Sequence, residues 1–185
     1  MNQKISTKRI AMAGLLAALT AVGSGLRITI PVSIGGNTAF HLGNIFCALS
    51  GILLGPGLGG AAAGLGSAIF DMTSPIYISE AWLTFLMKGA YGVAAGLVAQ
   101  RMPLGGYVRD LMATTAGAVT YAVLYLCKSF LNTMIVSGTT ASAALVAVGL
   151  KLPATTFNMA VAIVIAPVLA SAIRKSLAMN HITLN

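Results

Sequence analysis

The chain has 185 residues, of which 57% are hydrophobic and only 8% are charged, and its formal net charge at pH 7 is +8. A soluble domain carries about 25% charged residues, so a surface this poor in charge excludes a soluble monomer and indicates that lipid is the main solvent. The basic residues do not form a stripe interleaved with aromatic residues, which excludes nucleic-acid binding as the expected function.

Six apolar segments predict an all-α integral membrane protein, with about six transmembrane helices in one bundle and a single domain over residues 1–185. A membrane-spanning helix needs about 20 mostly apolar residues. The segments lie at about residues 10–30, 40–54, 58–72, 79–100, 110–131 and 141–173. The second and third are short and are joined by a tight turn, GPGLGG, so their full crossing of the membrane stays open. The basic start of the chain is interpreted as the flank of an uncleaved first helix, because the apolar pattern continues to the far end.

Basic residues at the ends of these segments predict that both termini are cytoplasmic. They precede the first segment, flank the loop between the fourth and fifth, and follow the sixth, as the positive-inside pattern requires. These residues are Lys4, Lys8, Arg9, Arg101, Arg109, Arg174 and Lys175.

The polar residues inside the apolar segments then map to the outer half of the bundle. A charge in a membrane-spanning helix costs about 2.5–3.5 kcal/mol on insertion scales, and it usually faces the bundle interior or a wet cavity. We therefore expect a ligand pocket that opens outward, with Trp82 stacking on the ligand. The predicted ligand-binding residues are Asn44, Asp71, Tyr77, Glu80, Trp82, Lys88, Lys128, Lys151 and Asn158. Snorkelling of Lys128, interfacial anchoring by Trp82 and helix capping by Glu80 are the alternatives for those three residues.

Small residues form rows on the predicted helices. In the first helix Ala13, Ala17 and Ala21 recur every four residues, a spacing that lets two membrane helices approach closely. The row serves either packing within the chain or docking of a separate membrane partner, and the residues alone leave both open.

The sequence lacks the common motifs for nucleotide hydrolysis and metal-dependent catalysis. There is no G-x-x-x-x-G-K-[ST] phosphate loop and no H-E-x-x-H, and Cys47 and Cys127 lack metal-ligand spacing. We therefore expect no catalytic residue, no metal, no cofactor and no ATPase site. Two alternatives stay open, namely a small membrane enzyme that uses Asp71 and Glu80 in acid–base chemistry, and a scaffold that binds no ligand.

Two stretches, FHLGNIFCALSGILLGPGLGGAAAGLGSAIFDM and LTFLMKGAYG, resemble the substrate-binding S component of energy-coupling-factor (ECF) vitamin transporters, and in particular the riboflavin group. The matching features occur in the same order as in that family. They are Leu42-Gly43-Asn44, the Gly55-Pro56 turn, the glycine-rich helix from Gly64 to Asp71, and Lys88-Gly89. The family often has an aspartate at the position of Asn44, which suggests that this part of the pocket serves another ligand.

The resemblance implies a small six-helix protein of the bacterial plasma membrane that binds a vitamin from outside. In that family the loop between the first two helices, here PVSIGGNTA, closes over the ligand. The S component then associates with a transmembrane coupling subunit and two ATPase subunits, topples in the membrane and releases the ligand inside. Ala13 and Ala17 are similar to the family's docking motif. Riboflavin is the default ligand, with pyridoxine or a thiamine-precursor pyrimidine as alternatives.

Overall fold

The computed structural model describes residues 6–34 and 36–182, and the described chain is mostly helical. Its elements in chain order are α1 (Thr7–Gly25), β1 (Arg27–Pro31), β2 (Asn37–His41), α2 (Gly43–Leu54), α3 (Pro56–Met72), a 3₁₀ turn (Ile78–Glu80), α4 (Ala81–Arg101), α5 (Gly106–Ile135) and α6 (Ala141–Met179). The prediction of a mainly helical bundle is confirmed. Lys4, predicted to flank the first helix, lies outside the described residues.

Three segments are long and apolar enough to cross a membrane. They are Ile78–Arg101, Gly106–Ile135 and Ala141–Met179, and Gly43–Leu54 is a shorter apolar helix. Six crossings and two cytoplasmic termini therefore stay predictions.

The all-α prediction misses a small antiparallel sheet between α1 and α2. The first predicted helix was to run to residue 30, but α1 ends at Gly25 and β1 pairs with β2 in the register Arg27↔His41 to Pro31↔Asn37. The β-branched run of residues 28–30 favours an extended strand over a helix. Gly36, with φ +88°, takes the left-handed conformation that the connection between the strands needs. Because residues 37–41 form β2, the second helix begins at Gly43 and not near residue 40.

Glycines allow α2, α3 and α4 to pack at backbone distance. A Cβ on Gly92 would lie 2.8 Å from the carbonyl oxygen of Gly59, and one on Gly60 would lie 2.7 Å from the Val93 side chain. Between α2 and α3 the predicted tight turn is present, since Gly55 has φ +81° and Pro56 starts the next helix. These rows of small residues thus serve packing within the chain.

The alanine row of α1 faces the chain's own core more than its surroundings. Ala13 is buried, and Ala17 and Ala21 are half-buried, while the neighbouring Gly14 and Ala18 are exposed. Close packing of α1 on α3 causes this placement. The docking role of Ala13, Ala17 and Ala21 stays a prediction, and the exposed small residues beside them belong to a different row.

The bundle has two chemically different ends. At one end the Arg9 side chain donates to the carbonyl of Leu54 over 2.6 Å, and Arg174 bonds the fully buried carboxylate of Asp110. At the other end lies the hairpin of β1 and β2. The termini of successive helices alternate between the two ends, so the described basic flanks gather away from the hairpin.

Candidate functional site

A cavity of about 320 Å³ lies at the hairpin end of the bundle. Its walls come from the hairpin and from α1, α3, α4, α5 and α6, with the 3₁₀ turn at one edge. Most of the residues predicted to bind the ligand line this cavity. They are Asp71, Tyr77, Glu80, Lys88, Lys128, Lys151 and Asn158. The structure thus brings together side chains that are far apart in the sequence. Asp71 and Asn158, for example, are 87 positions apart. Their contact with a ligand stays a prediction.

Helical spacing explains why polar residues of α4 and of the 3₁₀ turn before it reach the same wall. Glu80, Thr84 and Lys88 recur every four residues, so they lie on one face, and all three line the cavity. The predicted residue Asn44 lies just behind this wall, where its side-chain oxygen accepts a hydrogen bond from the Lys88 ammonium group. Asn44 therefore orients Lys88 from the buried side.

The structure contradicts the stacking role predicted for Trp82. Trp82 is 66% exposed and does not line the cavity. Two residues along an α-helix correspond to about 200° of rotation, so Trp82 lies on the face opposite to Glu80 and Thr84. This exposure leaves interfacial anchoring, the alternative role of Trp82, as a prediction.

Tyr121 and Tyr125 of α5 form the aromatic wall instead. Their rings stack with centroids 5.8 Å apart and an interplanar angle of 19°. The Lys88 ammonium lies 3.8 Å from the Tyr121 ring centroid, and the Lys151 ammonium lies 5.9 Å from that of Tyr125. Sequence reasoning missed Tyr121 as a site residue, although its spacing of four residues from Tyr125 was a usable signal.

Asn158 attaches the hairpin to α6. Its side-chain oxygen accepts from the backbone N–H of His41 over 2.9 Å, and its side-chain nitrogen donates to the carbonyl of Ala39 over 2.8 Å. Both polar atoms of this nearly buried amide thus bind the backbone of β2. The geometry gives Asn158 a positioning role for the edge of the cavity.

Arg27 attaches the other strand of the hairpin to α3. Its Nε donates to the carbonyl of Ser24 over 2.8 Å, and its terminal nitrogen lies 3.6 Å from a carboxylate oxygen of Asp71. The guanidinium also lies over two aromatic rings, 4.1 Å from the centroid of Phe70 and 4.7 Å from that of Tyr77. Arg27 lines the cavity, although it is not among the predicted ligand-binding residues.

Across the cavity, the Lys128 ammonium lies 2.6 Å from a carboxylate oxygen of Glu80. This pair joins α5 to the start of α4. Within residues 6–34 and 36–182, no group of three or more His, Cys, Asp or Glu side chains is placed to hold a metal ion.

His41, at the end of β2, also lines the cavity. Burial lowers the pKa of its imidazole well below the usual range, and the nearby charges of Lys88 and Arg27 lower it further. The ring is therefore neutral at pH 7. Because its Nδ1 accepts a hydrogen bond from the Gly43 backbone N–H over 3.2 Å, the ring proton is on Nε2, which makes that atom a donor.

Three comparisons relate the chain to known proteins. Residues 4–175 match the family model described as the S component of the ECF-type riboflavin transporter. The fold matches the crystal structure at 2.1 Å of the S-component for biotin from an ECF-type ABC transporter, with a TM-score of 0.65 over 92% of this chain and 95% of that one. At 14% sequence identity this match shows a shared fold alone. An uncharacterised protein of Pyrococcus woesei is 33% identical over 113 residues, which are 61% of this chain and 72% of that protein.

Proposed function

The chain belongs to the family of ECF-type riboflavin transporter S components, and we propose that it captures a small heteroaromatic vitamin for an ATP-driven importer. The observation that carries this proposal is the cavity at the hairpin end, where charged, amide and aromatic side chains from different helices meet. Members of the family are membrane proteins and transporter components, not enzymes. Three points are our proposal: which vitamin is bound, from which side it enters, and which residues contact it.

Polar groups in the cavity wall support ligand binding. Lys88 is 3% exposed, and the buried hydroxyl of Ser129 has no hydrogen-bond partner in the described part of the chain. A buried hydroxyl without a partner lowers stability, and a polar atom of a bound molecule would supply the partner that Ser129 lacks. A ligand with several polar atoms around a flat ring fits this wall.

The distribution of charge supports entry from outside. The described basic flanks gather at the end of the bundle opposite the cavity, and the positive-inside pattern assigns that end to the cytoplasm. The cavity would then face outward in a bacterial plasma membrane, with the hairpin as its cover. Transport would be driven by the two ATPase subunits of an ECF module, which act through a transmembrane coupling subunit.

The two cavity carboxylates fit a binding role better than the alternative of acid–base catalysis. Asp71 lies 3.6 Å from Arg27, and Glu80 lies 2.6 Å from Lys128. Each carboxylate therefore has a cation beside it that balances its charge and positions it.

A thermal-shift screen of the purified chain tests the proposal. Riboflavin, pyridoxine and a thiamine-precursor pyrimidine are added in turn, and we expect one of them to raise the melting temperature. Ligand at a hundred times its dissociation constant stabilises the folded state by about 2.7 kcal/mol. The Lys88→Met variant should lose most of this shift, whereas Lys175→Met, at the other end of the bundle, should keep it. No shift with any vitamin, tested singly up to millimolar concentrations, would contradict the proposal.

A further inference from the structure

We infer that the hairpin recognises the ligand as well as covering it, because His41 of β2 donates a hydrogen bond from Nε2 to an acceptor atom of the ligand. The acceptor is a ring nitrogen or a ring carbonyl of the heteroaromatic vitamin. This inference rests on the proposed function, since it names the chemical group of the ligand that the hairpin binds. His41 is not among the ligand-binding residues predicted from the sequence.

Two hydrogen bonds hold His41 in place, one at its backbone and one at its ring. The backbone N–H donates to the side-chain oxygen of Asn158 on α6 over 2.9 Å. The ring Nδ1 accepts from the backbone N–H of Gly43, the first residue of α2, over 3.2 Å. The imidazole is therefore positioned before a ligand arrives, and a donor positioned in advance loses less conformational entropy on binding.

The hydrogen bond at Nδ1 leaves one donor on the ring. A ring nitrogen that accepts a hydrogen bond carries no proton, so the proton of the neutral imidazole is on Nε2. The ring is neutral at pH 7, because burial and the nearby charges of Lys88 and Arg27 lower the pKa of the imidazole. His41 therefore presents a single uncharged donor, which distinguishes ligands by where they carry an acceptor.

This donor is available to a bound molecule. In the described part of the chain, the one hydrogen bond of the His41 ring is the bond from Gly43 to Nδ1. The ring is half-buried and lines the cavity, so a ligand there can reach it.

The surroundings of His41 favour the cavity as the side on which the acceptor lies. On its other side, His41 borders a mostly apolar groove whose side chains carry no hydrogen-bond acceptor. They belong to Leu26, Arg27, Ile28, Phe40, Leu42 and Phe157. We therefore expect the partner of Nε2 to be an atom of the ligand in the cavity.

The ligand class follows from a donor at the hairpin and an aromatic wall on α5. The stacked rings of Tyr121 and Tyr125 offer a surface for the face of a flat ring. The His41 donor serves the edge of such a ring, because ring nitrogens and carbonyl oxygens accept hydrogen bonds near the ring plane. A ring of the same size without an acceptor would leave Nε2 unpaired once it displaces water, which costs free energy.

Nitrogen NMR of the purified chain tests the inference, because the protein has only 2 histidines. The chain is labelled with isotope-enriched histidine, and the His181→Gln variant assigns the signals of His41. We expect the neutral tautomer with its proton on Nε2 in the free protein. Riboflavin, pyridoxine and a thiamine-precursor pyrimidine are then added singly. The one that gives the largest thermal shift should move the Nε2 proton signal of His41 downfield and leave the signals of His181 unchanged.

Two variants of His41 give a second readout. His41→Gln keeps an N–H donor at a similar distance from the backbone, whereas His41→Met has a similar length and no donor. Both lose Nδ1, so their comparison separates the Nε2 donor from the bond to Gly43. By calorimetry we expect His41→Met to bind the same vitamin about threefold to about tenfold more weakly than His41→Gln, a difference of about 0.7–1.4 kcal/mol that matches one hydrogen bond. His181→Met, at an exposed position, is the matched control and should bind as the wild type does.

The outcomes separate this inference from the proposed function. If a vitamin binds and the Nε2 proton signal of His41 does not move at saturation, the inference is overturned and vitamin capture stands. The same holds if His41→Met binds as tightly as His41→Gln. If no vitamin binds the wild-type chain, both are contradicted. The NMR measurement uses the wild-type chain, so it decides the matter even if a His41 variant does not fold.

Discussion

The attachment of the hairpin to α6 through Asn158 leads to a quantitative prediction. In the Asn158→Leu variant the side chain keeps a similar volume but loses both hydrogen bonds to β2, one to the His41 N–H and one to the Ala39 carbonyl. The hairpin should then leave its position over the cavity more often, and the ligand should bind more weakly because the hairpin covers the cavity less of the time.

The two bonds set the size of the effect. A hydrogen bond contributes about 0.5–1.5 kcal/mol net, so two contribute about 1–3 kcal/mol to the closed hairpin. If binding requires the closed hairpin, ligand affinity should fall by about fivefold to about 150-fold, since each 1.4 kcal/mol is a factor of ten.

Two measurements check this prediction. Amide hydrogen exchange should be faster at residues 37–41 in Asn158→Leu, and calorimetry should show the weaker affinity. Asn132→Leu is the matched control, because Asn132 is an amide of the same cavity wall on α5. It should leave the exchange of residues 37–41 unchanged. Wild-type exchange and wild-type affinity in Asn158→Leu would refute the positioning role.

Three further predictions concern packing, charge and docking. Gly92→Val should lower the melting temperature by an amount that corresponds to at least about 1–3 kcal/mol, because its side chain would collide with the backbone of Gly59, and an unchanged melting curve would contradict this. Asp110→Ala should lower the free energy of unfolding by about 1–3 kcal/mol, because the bond to Arg174 is lost. The loss is not larger because Arg174 is partly exposed and water can solvate its charge. Wild-type stability would show that the buried pair is dispensable. Gly14→Trp should keep ligand binding but reduce uptake in cells that contain the coupling subunits, since a Cβ at Gly14 would meet no other element of the described chain within 4 Å. Normal uptake would exclude that surface from docking.

Much of the helical architecture could be predicted from the sequence because lipid-facing helices must be continuous apolar runs. The hairpin was missed because residues 28–30 extend the first apolar run by hydropathy; their β-branched side chains favour a strand, and the pairing with residues 37–41 completes it. Tertiary pairing of this kind is invisible to hydropathy along the chain.

The candidate site was predictable in part, because a charged side chain in an apolar helix costs free energy in lipid and therefore faces the bundle interior. This reasoning selected Asp71, Lys88 and Lys151, which the structure places around one cavity. It assigned Trp82 to the site by residue type, although helical spacing places Trp82 about 200° around the helix from Glu80 and Thr84. It could not predict that Asn158 binds the hairpin backbone, since that contact spans 117 positions.

Ligand stoichiometry in the wild-type chain and in a blocked cavity tests the central claim most directly. Ser129 is buried in the cavity wall, so Ser129→Trp would project an indole into the space proposed for the ligand. Calorimetry with the vitamin that gives the largest thermal shift should find one molecule per wild-type chain and none in the folded Ser129→Trp variant. Equal binding by both chains, or no binding by the wild type, would contradict the account.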